Sequence, residues 1–352
     1  MTGLIEIDGS HGEGGGQILR TSVSLAALTM KPVRISKIRA GRPKPGIKRQ
    51  HLSGIKLTGE LVDASIEGLD VGSTEITFIP KQRRSGSFSI DVGTAGSISL
   101  ILQAVLPPAV LAPDSITFQI RGGTDVKWSP PVDYLNNVFF PLLSQLGALV
   151  EIQQKKRGHY PKGGGEVLCK VTPTKELNSL DLVDFEELSA VAGISHCVRL
   201  PAHVAERQAS AAEQVIRARY DVNINIETES YSKNEDHHLG PGSGIVLWAE
   251  DRIGTRLGAD KLGERGEPAE TVGRKAAEQL VNEVSRGRAI DSHLADMIVP
   301  YLAVAKGESR IGISEVTSHL TTNLWTIEQI LDTQMNLEGN IGESGFLKIT
   351  GN

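Results

Sequence analysis

The glycine-rich segment HGEGGGQILR, at residues 11–20, is the first group of residues whose types and spacing can do chemistry. Three consecutive glycines between a predicted strand and a predicted helix let the backbone approach a ligand and turn its N–H groups toward an anion. The segment is not a Walker A loop, because no Gly-Lys-Ser/Thr follows, and Gln17 stands where a dinucleotide-binding fingerprint needs its third glycine. Alone, the segment predicts a phosphate contact and a purely structural turn equally well.

Glu13 gives this segment a more specific meaning. A carboxylate set among glycines is suited to hold a divalent cation beside a phosphate. A second glycine run, YPKGGGEV at residues 160–167, can also contact an anion, but a hairpin turn is the favoured interpretation there. The prediction of a metal ion next to phosphate therefore rests on the first run.

His319 is the histidine best placed for nucleophilic chemistry. It falls in VTSHLTTN, where Thr317 and Ser318 are suited to cap the N-terminus of a predicted helix. The positive end of the helix dipole favours a neutral imidazole, which is nucleophilic. Without further context, a lone histidine more often has an ordinary packing role. Packing or loop hydrogen bonding is predicted for His11, His51, His159 and His196, and exposure to solvent for His237 and His238.

A basic segment at residues 34–49 carries seven cations and no acid. This density predicts a segment that faces an anion, with a solvated basic loop as the alternative. The whole chain has a formal net charge of −5, which argues against a protein that coats nucleic acid, because such binding needs a broad cationic face. A protein that grips only the end of a strand stays compatible with this charge.

The elements that must position these residues form a pattern of three similar segments, which begin at Gly14, Ala95 and Asp291. Each reads as an apolar helix, a polar turn, an alternating strand, a second helix and closing strands. The second helices are predicted at residues 51–62, 132–146 and 319–331. The unit is therefore predicted to be roughly βαβαββ with helices on one face of a sheet, an α+β arrangement.

Arg20, Gln103 and Asp296 fall at one equivalent position when the first helices of the three segments are superimposed. Each polar residue interrupts an otherwise apolar helix. A buried polar group without a partner costs about 1–3 kcal/mol, so three of them at one place predict a shared polar site. The alternative is that each caps or bridges within its own repeat.

The spacing of these positions also predicts an inserted domain. Arg20 and Gln103 are 83 residues apart, whereas Gln103 and Asp296 are 193 apart, an excess of about one small domain. The insert is expected at residues 181–285, and a three-repeat catalytic body at 1–180 and 286–352. Within the insert, the pattern predicts strands at 194–200, 222–228 and 244–250 and helices at 205–220 and 268–284.

The bulk composition is that of a globular chain, with 352 residues, 39% hydrophobic and 22% charged, and it excludes disordered and collagen-like classes. The longest apolar stretch, residues 99–111, is too short to cross a bilayer, and no signal peptide is visible. Cys169 and Cys197 are too few for a disulfide framework and lack metal-ligand spacing. A cytoplasmic protein with no membrane partner is expected.

Several motifs together resemble those of the RNA 3′-terminal phosphate cyclase family. They are HGEGGGQILR, IRAGRPKPGIKRQHL, AGSISLILQAVLP, GGTDVKWSPPVDY, YPKGGGEV, HLADMIVPYLAVA and SHLTTN, and they occur in the family's order from end to end of the chain. The resemblance implies three tandem repeats, each similar to the C-terminal domain of translation initiation factor three, and a smaller inserted α/β domain.

The resemblance also implies roles for particular residues. His319 matches the histidine that becomes adenylylated, and Glu13 matches the carboxylate that binds a divalent metal, Mg²⁺ or Mn²⁺. The remaining matches are ATP-binding positions at Gln103, Pro130, His293, Leu294, Ala295, Asp296 and Met297, and phosphate- or RNA-binding positions at Arg20, Arg39, Arg42 and Gln50. Where the family commonly shows Tyr-Leu-Ala-Asp-Gln, this chain has His-Leu-Ala-Asp-Met, so Met297 can pack against adenine but lacks an amide.

The implied activity is the ATP-dependent conversion of an RNA 3′-terminal phosphate into a 2′,3′-cyclic phosphate. It proceeds through a histidine-bound AMP and an adenylylated RNA end, and it releases pyrophosphate and AMP. The expected partners are ATP and RNA 3′-phosphate ends. The alternatives are a non-catalytic ribosome-assembly relative, which would lack the histidine, and a repeat enzyme that acts on a small phosphorylated metabolite.

Overall fold

The computed structural model describes residues 3–12 and 14–351 and shows an α+β protein. Within these residues, the strands form four sheets of four strands each. No helix in this part of the chain is long and apolar enough to span a bilayer. Glu13, the predicted metal ligand, lies outside the described residues.

The first sheet has the strand order β1-β2-β4-β3. Val33 and Ile35 on β2 are fully buried and alternate with half-exposed neighbours, which is the period-two pattern of a strand with one covered face. Helices α1 and α2 belong to this sheet and pack against each other. The bounds are β1 Ile5–Asp8, α1 Gln17–Thr29, β2 Val33–Ser36, α2 Arg49–Leu61, β3 Ser65–Glu67 and β4 Ile76–Ile79.

The second sheet has the order β5-β6-β8-β7. Its first helix, α3, is capped by the Ser97 hydroxyl, which accepts a hydrogen bond from the Leu100 N–H at 3.2 Å. The single helix predicted at 132–146 is instead divided into α4, a π-helical turn at Leu135–Phe139, and α5. The bounds are β5 Gly86–Asp91, α3 Ile98–Ala109, β6 Ile116–Gly122, α4 Val132–Tyr134, α5 Phe140–Gln145, β7 Leu149–Lys156 and β8 Gly165–Thr172.

The third sheet combines a short strand, β9, with the C-terminal part of the chain. Asp181 and Leu182 of β9 pair in parallel with Arg310 and Ile311 of β14, and the full order is β15-β16-β14-β9. The bounds are β9 Asp181–Leu182, α8 Ser292–Leu302, β14 Gly307–Ile313, α9 Ser318–Ile330, β15 Gln334–Glu338 and β16 Gly345–Gly351.

The fourth sheet is built from the residues between β9 and α8, in the order β11-β10-β12-β13. Two helices, α6 and α7, pack against each other and against its strands. Strand β13 was absent from the sequence prediction. The bounds are β10 Leu188–Val198, α6 His203–Arg217, β11 Asn223–Glu229, β12 Gly242–Asp251, β13 Arg256–Leu262 and α7 Ala269–Ser285.

The buried apolar side chains form two clusters. The larger one joins the first three sheets and their helices, and its members include Leu25, Leu102 and Leu320. The smaller one lies between the fourth sheet and its helices and includes Leu247, Ala276 and Leu280. In each of the first three sheets, the strands adopt the same spatial order relative to their order in the chain. The N-terminal ends of α1, α8 and α9 carry the candidate site.

Candidate active site

His319 is the second residue of α9, and its helix starts where the sequence predicted. Thr317 is the N-cap, and its hydroxyl accepts a hydrogen bond from the Leu320 N–H at 3.0 Å. This bond satisfies one of the N–H groups that a helix start leaves without a partner. The imidazole of His319 is exposed at the end of the helix that attracts anions.

The glycine-rich segment lies against the same helix. The ring of His11 stacks on Trp325 of α9 with centroids 3.9 Å apart and planes 8° from parallel. A Cβ atom on Gly12 would stand 2.7 Å from the Thr322 hydroxyl, so a larger residue would displace the loop from α9. The loop and the exposed His319 are therefore parts of one surface.

A chain of side-chain hydrogen bonds ties α1, α8 and α9 together beneath this surface. Gln17 Nε2 donates to Asn323 Oδ1 at 2.8 Å, and Asn323 Nδ2 donates to the carbonyl oxygen of Asp296 at 2.7 Å. Thr21 adds a hydroxyl donor to Asn323 Oδ1 at 2.6 Å, and the Arg20 guanidinium donates to Gln17 Oε1. Because these bonds cross from α9 to both α1 and α8, the network fixes the N-terminal parts of the three helices relative to one another.

Electrostatic coupling places Arg20, Asp296 and His319 in one group. Burial raises the pKa of Asp296, and His319, His293 and Arg20 partly oppose that shift. Burial also lowers the pKa of Arg20 to about 10, against the attraction of Asp296. At neutral pH the guanidinium keeps its charge. Gln103 lies half-buried on α3, which packs against α1 and, more lightly, against α8.

The start of α8 is held by Asp291, a fully buried N-cap. Its Oδ1 accepts the His293 and Leu294 N–H groups, each at 2.9 Å, and its Oδ2 accepts the Gly258 N–H at 2.8 Å. The Tyr134 hydroxyl donates to the same carboxylate at 2.7 Å. Gly258 lies on β13 of the fourth sheet, and Tyr134 lies on α4, which belongs to the second sheet. The Asp291 carboxylate therefore links both of them to α8 of the third sheet at the edge of the site.

His293 is exposed next to this cap, with Tyr134 edge-on at a centroid distance of 6.3 Å. Although its side chain reaches solvent, desolvation by the surrounding protein lowers the pKa of His293, and Asp260, Asp291 and Asp296 raise it by more, so the net shift is upward. Burial in turn raises the pKa of Asp260 on β13 to about 6. The fourth sheet thus contributes a carboxylate within electrostatic range of the predicted ATP-binding stretch.

The other predicted ATP-binding residues differ in how far their side chains are exposed to solvent. Half-buried Pro130 lies on the loop that leads into α4. Within the stretch 293–297, His293 is exposed and Asp296 half-buried. The remaining three side chains belong to the apolar core, namely those of Leu294, Ala295 and Met297. Met297 therefore packs inside the protein rather than on its surface.

The basic segment divides into cations that are paired within the protein and cations near the glycine loop. Lys37 pairs with Asp8 at 2.8 Å and Arg34 with Glu75 at 2.7 Å. Arg39 Nη1 donates to the carbonyl oxygens of Lys44 at 2.8 Å and Gly46 at 3.1 Å, which holds the loop closed. Burial, with a contribution from Arg42, lowers the pKa of Arg39.

Arg42 lies near the middle of this segment, and Gln50 directly follows its last residue. Arg42 is exposed, and its Nη2 lies 3.0 Å from the position a Cβ atom on Gly15 would take, so the guanidinium stands directly over the glycine loop. Gln50 Oε1 accepts the backbone N–H of Ser97 at 2.9 Å. Its amide nitrogen keeps two donors for other partners.

His51, to which the sequence assigned an ordinary structural role, faces the glycine loop. Its Nδ1 accepts the Lys48 N–H at 3.2 Å, which places the ring proton on Nε2. Nε2 lies 2.4 Å from the position of a Cβ atom on Gly16, and a small cavity beside it is also lined by Arg20 and Gln50. Burial, together with Arg20, Arg39 and Lys48, lowers the pKa of His51 to about 3. His51 is therefore a neutral donor aimed at the loop, and the signal in the sequence was its position next to Gln50, just after the basic segment.

A second polar cluster is buried away from α9. One side-chain atom each from Asp125, His159 and His196 lies within 4.8 Å of the others, which makes these three residues a possible metal-binding group. Next to them, His238 is buried at 6% exposure, so the prediction that it faces solvent was wrong. Its ring is held by Asp236 at 2.9 Å and lies edge-on to Tyr231, contacts that depend on the tertiary fold. His237 is exposed, as predicted.

The chain is similar to known proteins along nearly its whole length. A family model described as RNA 3′-terminal phosphate cyclase matches residues 11–337. A protein of that name from Methanopyrus kandleri is 54% identical over 346 residues, which cover 98% of each chain. Relatives with the same name from Ignicoccus hospitalis and Pyrococcus furiosus are 51% and 49% identical and cover 99% and 98% of each chain, respectively.

Proposed function

The chain belongs to the RNA 3′-terminal phosphate cyclase family, and we propose that it converts an RNA 3′-terminal phosphate into a 2′,3′-cyclic phosphate at the expense of ATP. The observation that supports this proposal best is that α9, which begins beside the exposed His319, packs against the glycine-rich loop through Trp325 and is tied through Asn323 to Gln17, the partner of Arg20, and to Asp296. A nucleophile, a cation and backbone N–H groups at one helix start are the parts that nucleotidyl transfer requires.

In the first step, a ring nitrogen of His319 attacks the α-phosphorus of ATP, the bond to the β-phosphate oxygen breaks, and pyrophosphate leaves. The histidine then carries AMP on nitrogen. Transfers of this kind depend mainly on positioning and on neutralising charge. Arg20 supplies a cation held by Gln17, and the start of α9 supplies partly positive N–H groups.

In the second step, an oxygen of the RNA 3′-phosphate attacks the AMP phosphorus and His319 leaves. In the third, the neighbouring 2′-hydroxyl attacks the activated 3′-phosphorus, its proton is lost and AMP departs. Nucleophile and electrophile share one ribose, so the effective concentration is high and ring closure needs little further help. We assign the end phosphate to Arg42 and Arg39, with Gln50 at the same site.

A divalent ion, Mg²⁺ or Mn²⁺, would offset charge on the phosphates when bound. We assign it to Glu13. Another carboxylate beside the loop, Asp8, is already paired with Lys37 at 2.8 Å and accepts the Ser10 hydroxyl at 2.6 Å. These contacts leave Asp8 poorly suited as a ligand.

We assign ATP binding to Gln103, Pro130 and the stretch 293–297. In this stretch, Asp296 and His293 present side-chain surface. The buried side chains of Leu294, Ala295 and Met297 would act by fixing the shape of the α8 turn under the nucleotide. The Tyr134 hydroxyl donates to Asp291, the N-cap of α8. This bond would hold the Pro130 loop and the start of α8 on opposite sides of the bound ATP.

We further propose that the body consists of three βαβαββ repeats interrupted by an inserted α/β domain. The shared strand order of the first three sheets and the separate apolar cluster of the fourth support this division. Because Asp181 and Leu182 pair with β14, we place the start of the insert after Leu182 rather than at residue 181.

The proposed activity is tested by incubating the chain with ATP, Mg²⁺ and a short RNA that ends in a 3′-phosphate, followed by mass analysis of the products. The RNA is expected to lose the mass of one water and to become resistant to phosphatase, with AMP and pyrophosphate formed in equal amounts. The same RNA with a 3′-hydroxyl end is the control. An unchanged 3′-phosphate, with the enzyme shown to be folded, would overturn the proposal.

A further inference from the structure

The buried cluster around Asp125, His159 and His196 joins two parts of the fold. Asp125 follows β6, His159 lies in the connection from β7 to β8, and His196 lies on β10. The first two residues belong to the second sheet, and the third belongs to the fourth sheet. All three are nearly or fully inaccessible to solvent. None of them takes part in the proposed transfer of AMP.

The two imidazoles face each other through the same nitrogen. His159 Nε2 and His196 Nε2 are 3.1 Å apart, and His196 Nε2 is 3.7 Å from Asp125 Oδ1. Two bonds of about 2.0–2.1 Å from a tetrahedral Zn²⁺ would place their nitrogens about 3.3 Å apart. The observed separation of the two nitrogens is therefore close to the one that zinc imposes.

Among the described residues, the contact between the two Nε2 atoms is the one hydrogen bond that either ring can make. Neither His159 Nδ1 nor His196 Nδ1 has a hydrogen-bond partner among the described residues. Both rings can therefore carry their proton on Nδ1 and direct the Nε2 lone pair inward. Without a metal, one Nε2 would donate its proton to the other; with both protons on Nδ1, the two lone pairs repel each other unless a cation lies between them.

The charge of the cluster also calls for a cation. Arg157, at 2% exposure, is paired with Asp125 at 3.3 Å, Asp133 at 2.8 Å and Glu229 at 2.6 Å. One guanidinium thus faces three carboxylates, a formal excess of two negative charges in a mostly buried place. A divalent cation would offset this excess of negative charge.

His238 is a further sign of a metal next to the triad. Its Nδ1 is bound to Asp236 Oδ1 at 2.9 Å, whereas its buried Nε2 has no partner among the described residues. A carboxylate on one ring nitrogen and a vacant second nitrogen is the usual arrangement of a metal-ligating histidine. His238 lies within electrostatic range of both His159 and His196.

We propose that Asp125, His159 and His196 bind one Zn²⁺ ion, which clips the fourth sheet to the second and is distinct from the divalent ion at the nucleotide phosphates. Two imidazoles and one carboxylate are a ligand set that suits zinc, whereas magnesium prefers oxygen ligands throughout. The ion braces the loop between Asp125 and Asp133. That loop carries Pro130, so zinc holds one wall of the nucleotide site without touching the reaction.

The test is a calorimetric titration of metal-free protein with Zn²⁺ in the presence of excess Mg²⁺, which keeps the phosphate-side metal site occupied. The wild type and the variants His237→Gln and Glu13→Ala are expected to bind one equivalent of Zn²⁺ and to gain several degrees in Tm. His159→Gln and His196→Gln are expected to lose at least tenfold in affinity and most of the gain in Tm. A wild type that takes up no zinc, or equal loss in His237→Gln, would overturn the proposal.

A spectroscopic measurement on the unmodified chain covers the case in which the buried histidine variants fail to fold. Co²⁺ in place of Zn²⁺ is expected to show the visible absorption of a tetrahedral site with nitrogen and oxygen ligands. Absence of Co²⁺ uptake, or a thiolate-to-cobalt band from Cys197 or Cys169, would contradict the assignment.

Discussion

Gln17 and Asn323, which lie 306 positions apart in the chain, are joined by a hydrogen bond of 2.8 Å from Gln17 Nε2 to Asn323 Oδ1. Gln17 also accepts from Arg20, and Asn323 also donates to the carbonyl of Asp296. The hydrogen bond between these two amides therefore links Arg20 on α1 to α8 and to α9, the helix that carries His319. The relative placement of the site's parts depends on it.

The variant Asn323→Leu tests this dependence. Asn323 is fully buried, so removal of its amide takes away the acceptor shared by the Gln17 amide and the Thr21 hydroxyl and the donor to the Asp296 carbonyl. Among the described residues, it leaves the Gln17 amide nitrogen and the Thr21 hydroxyl only their contact with each other at 3.3 Å. The free energy of unfolding in urea is expected to fall by about 1–3 kcal/mol, and adenylylation at saturating ATP to slow by more than tenfold. Gln329→Leu, on the exposed side of the same helix, is the control. Normal stability and rate in Asn323→Leu would refute the role of the network.

His51 gives a pH-dependent contribution to stability whose sign follows from its lowered pKa of about 3. Below pH 6.5 the unfolded chain protonates this histidine and the folded chain does not, so stability falls as the pH falls. Between pH 7 and pH 5 the contribution is about 2 kcal/mol. In His51→Gln, whose amide can still accept the Lys48 N–H, the decrease in unfolding free energy over this range should be smaller by that amount.

The control for this experiment is His237→Gln, which alters an exposed histidine. It should keep the pH dependence of the wild type. If His51→Gln and wild type lose the same free energy between pH 7 and pH 5, His51 is not held neutral and the geometry at Gly16 has another explanation.

Arg42 stands over the glycine loop and is proposed to bind the RNA end phosphate. Arg42→Ala should weaken the binding of RNA with a 3′-phosphate by at least tenfold, with little effect on RNA ending in a hydroxyl. Arg34→Ala, which removes an exposed cation paired with Glu75, is the matched control for lost charge. Equal weakening of both RNAs by Arg42→Ala would indicate backbone binding without end recognition. Binding is measured by fluorescence anisotropy at fixed salt.

Arg39 is expected to behave differently from Arg42, although both were predicted from the same basic segment. Its guanidinium donates to two carbonyl oxygens of its own loop, so Arg39→Ala should lower stability as well as RNA binding. The sequence shows that a cation is present but not whether backbone or ligand receives its hydrogen bonds. That distinction needs the fold.

Helix starts and the core strands could be read from the sequence, because a capping Thr317 and the buried alternation of Val33 and Ile35 are local patterns. Strand β13 was missed because its sequence, RLGADKL, carries three charges in seven residues, and it is ordered by pairing with β12. The burial of His238 and the facing of His159 and His196 were likewise beyond prediction. The residues that these histidines contact are distant in the chain, so no local sequence pattern predicts the contacts.

Glu13 is proposed to act through the metal ion rather than through folding. Glu13→Ala is expected to reduce adenylylation at least a hundredfold while the Tm stays within a few degrees of the wild-type value. Higher Mg²⁺ or Mn²⁺ concentrations should partly restore the rate if weak metal binding limits it. Full activity of Glu13→Ala at low Mg²⁺ would exclude a metal role. The rate is followed by incorporation of label, with circular dichroism as the check on folding.

The central claim is that His319 carries AMP, and the most direct measurement is covalent labelling with ATP radiolabelled at the α-phosphate, followed by peptide mapping. The wild type is expected to retain label that is stable to base and labile to acid, located on the peptide containing His319, and to release it when 3′-phosphate RNA is added. His319→Asn should retain none, whereas His293→Asn should still be labelled at His319. Label on His319→Asn at a level near the wild type would contradict the account.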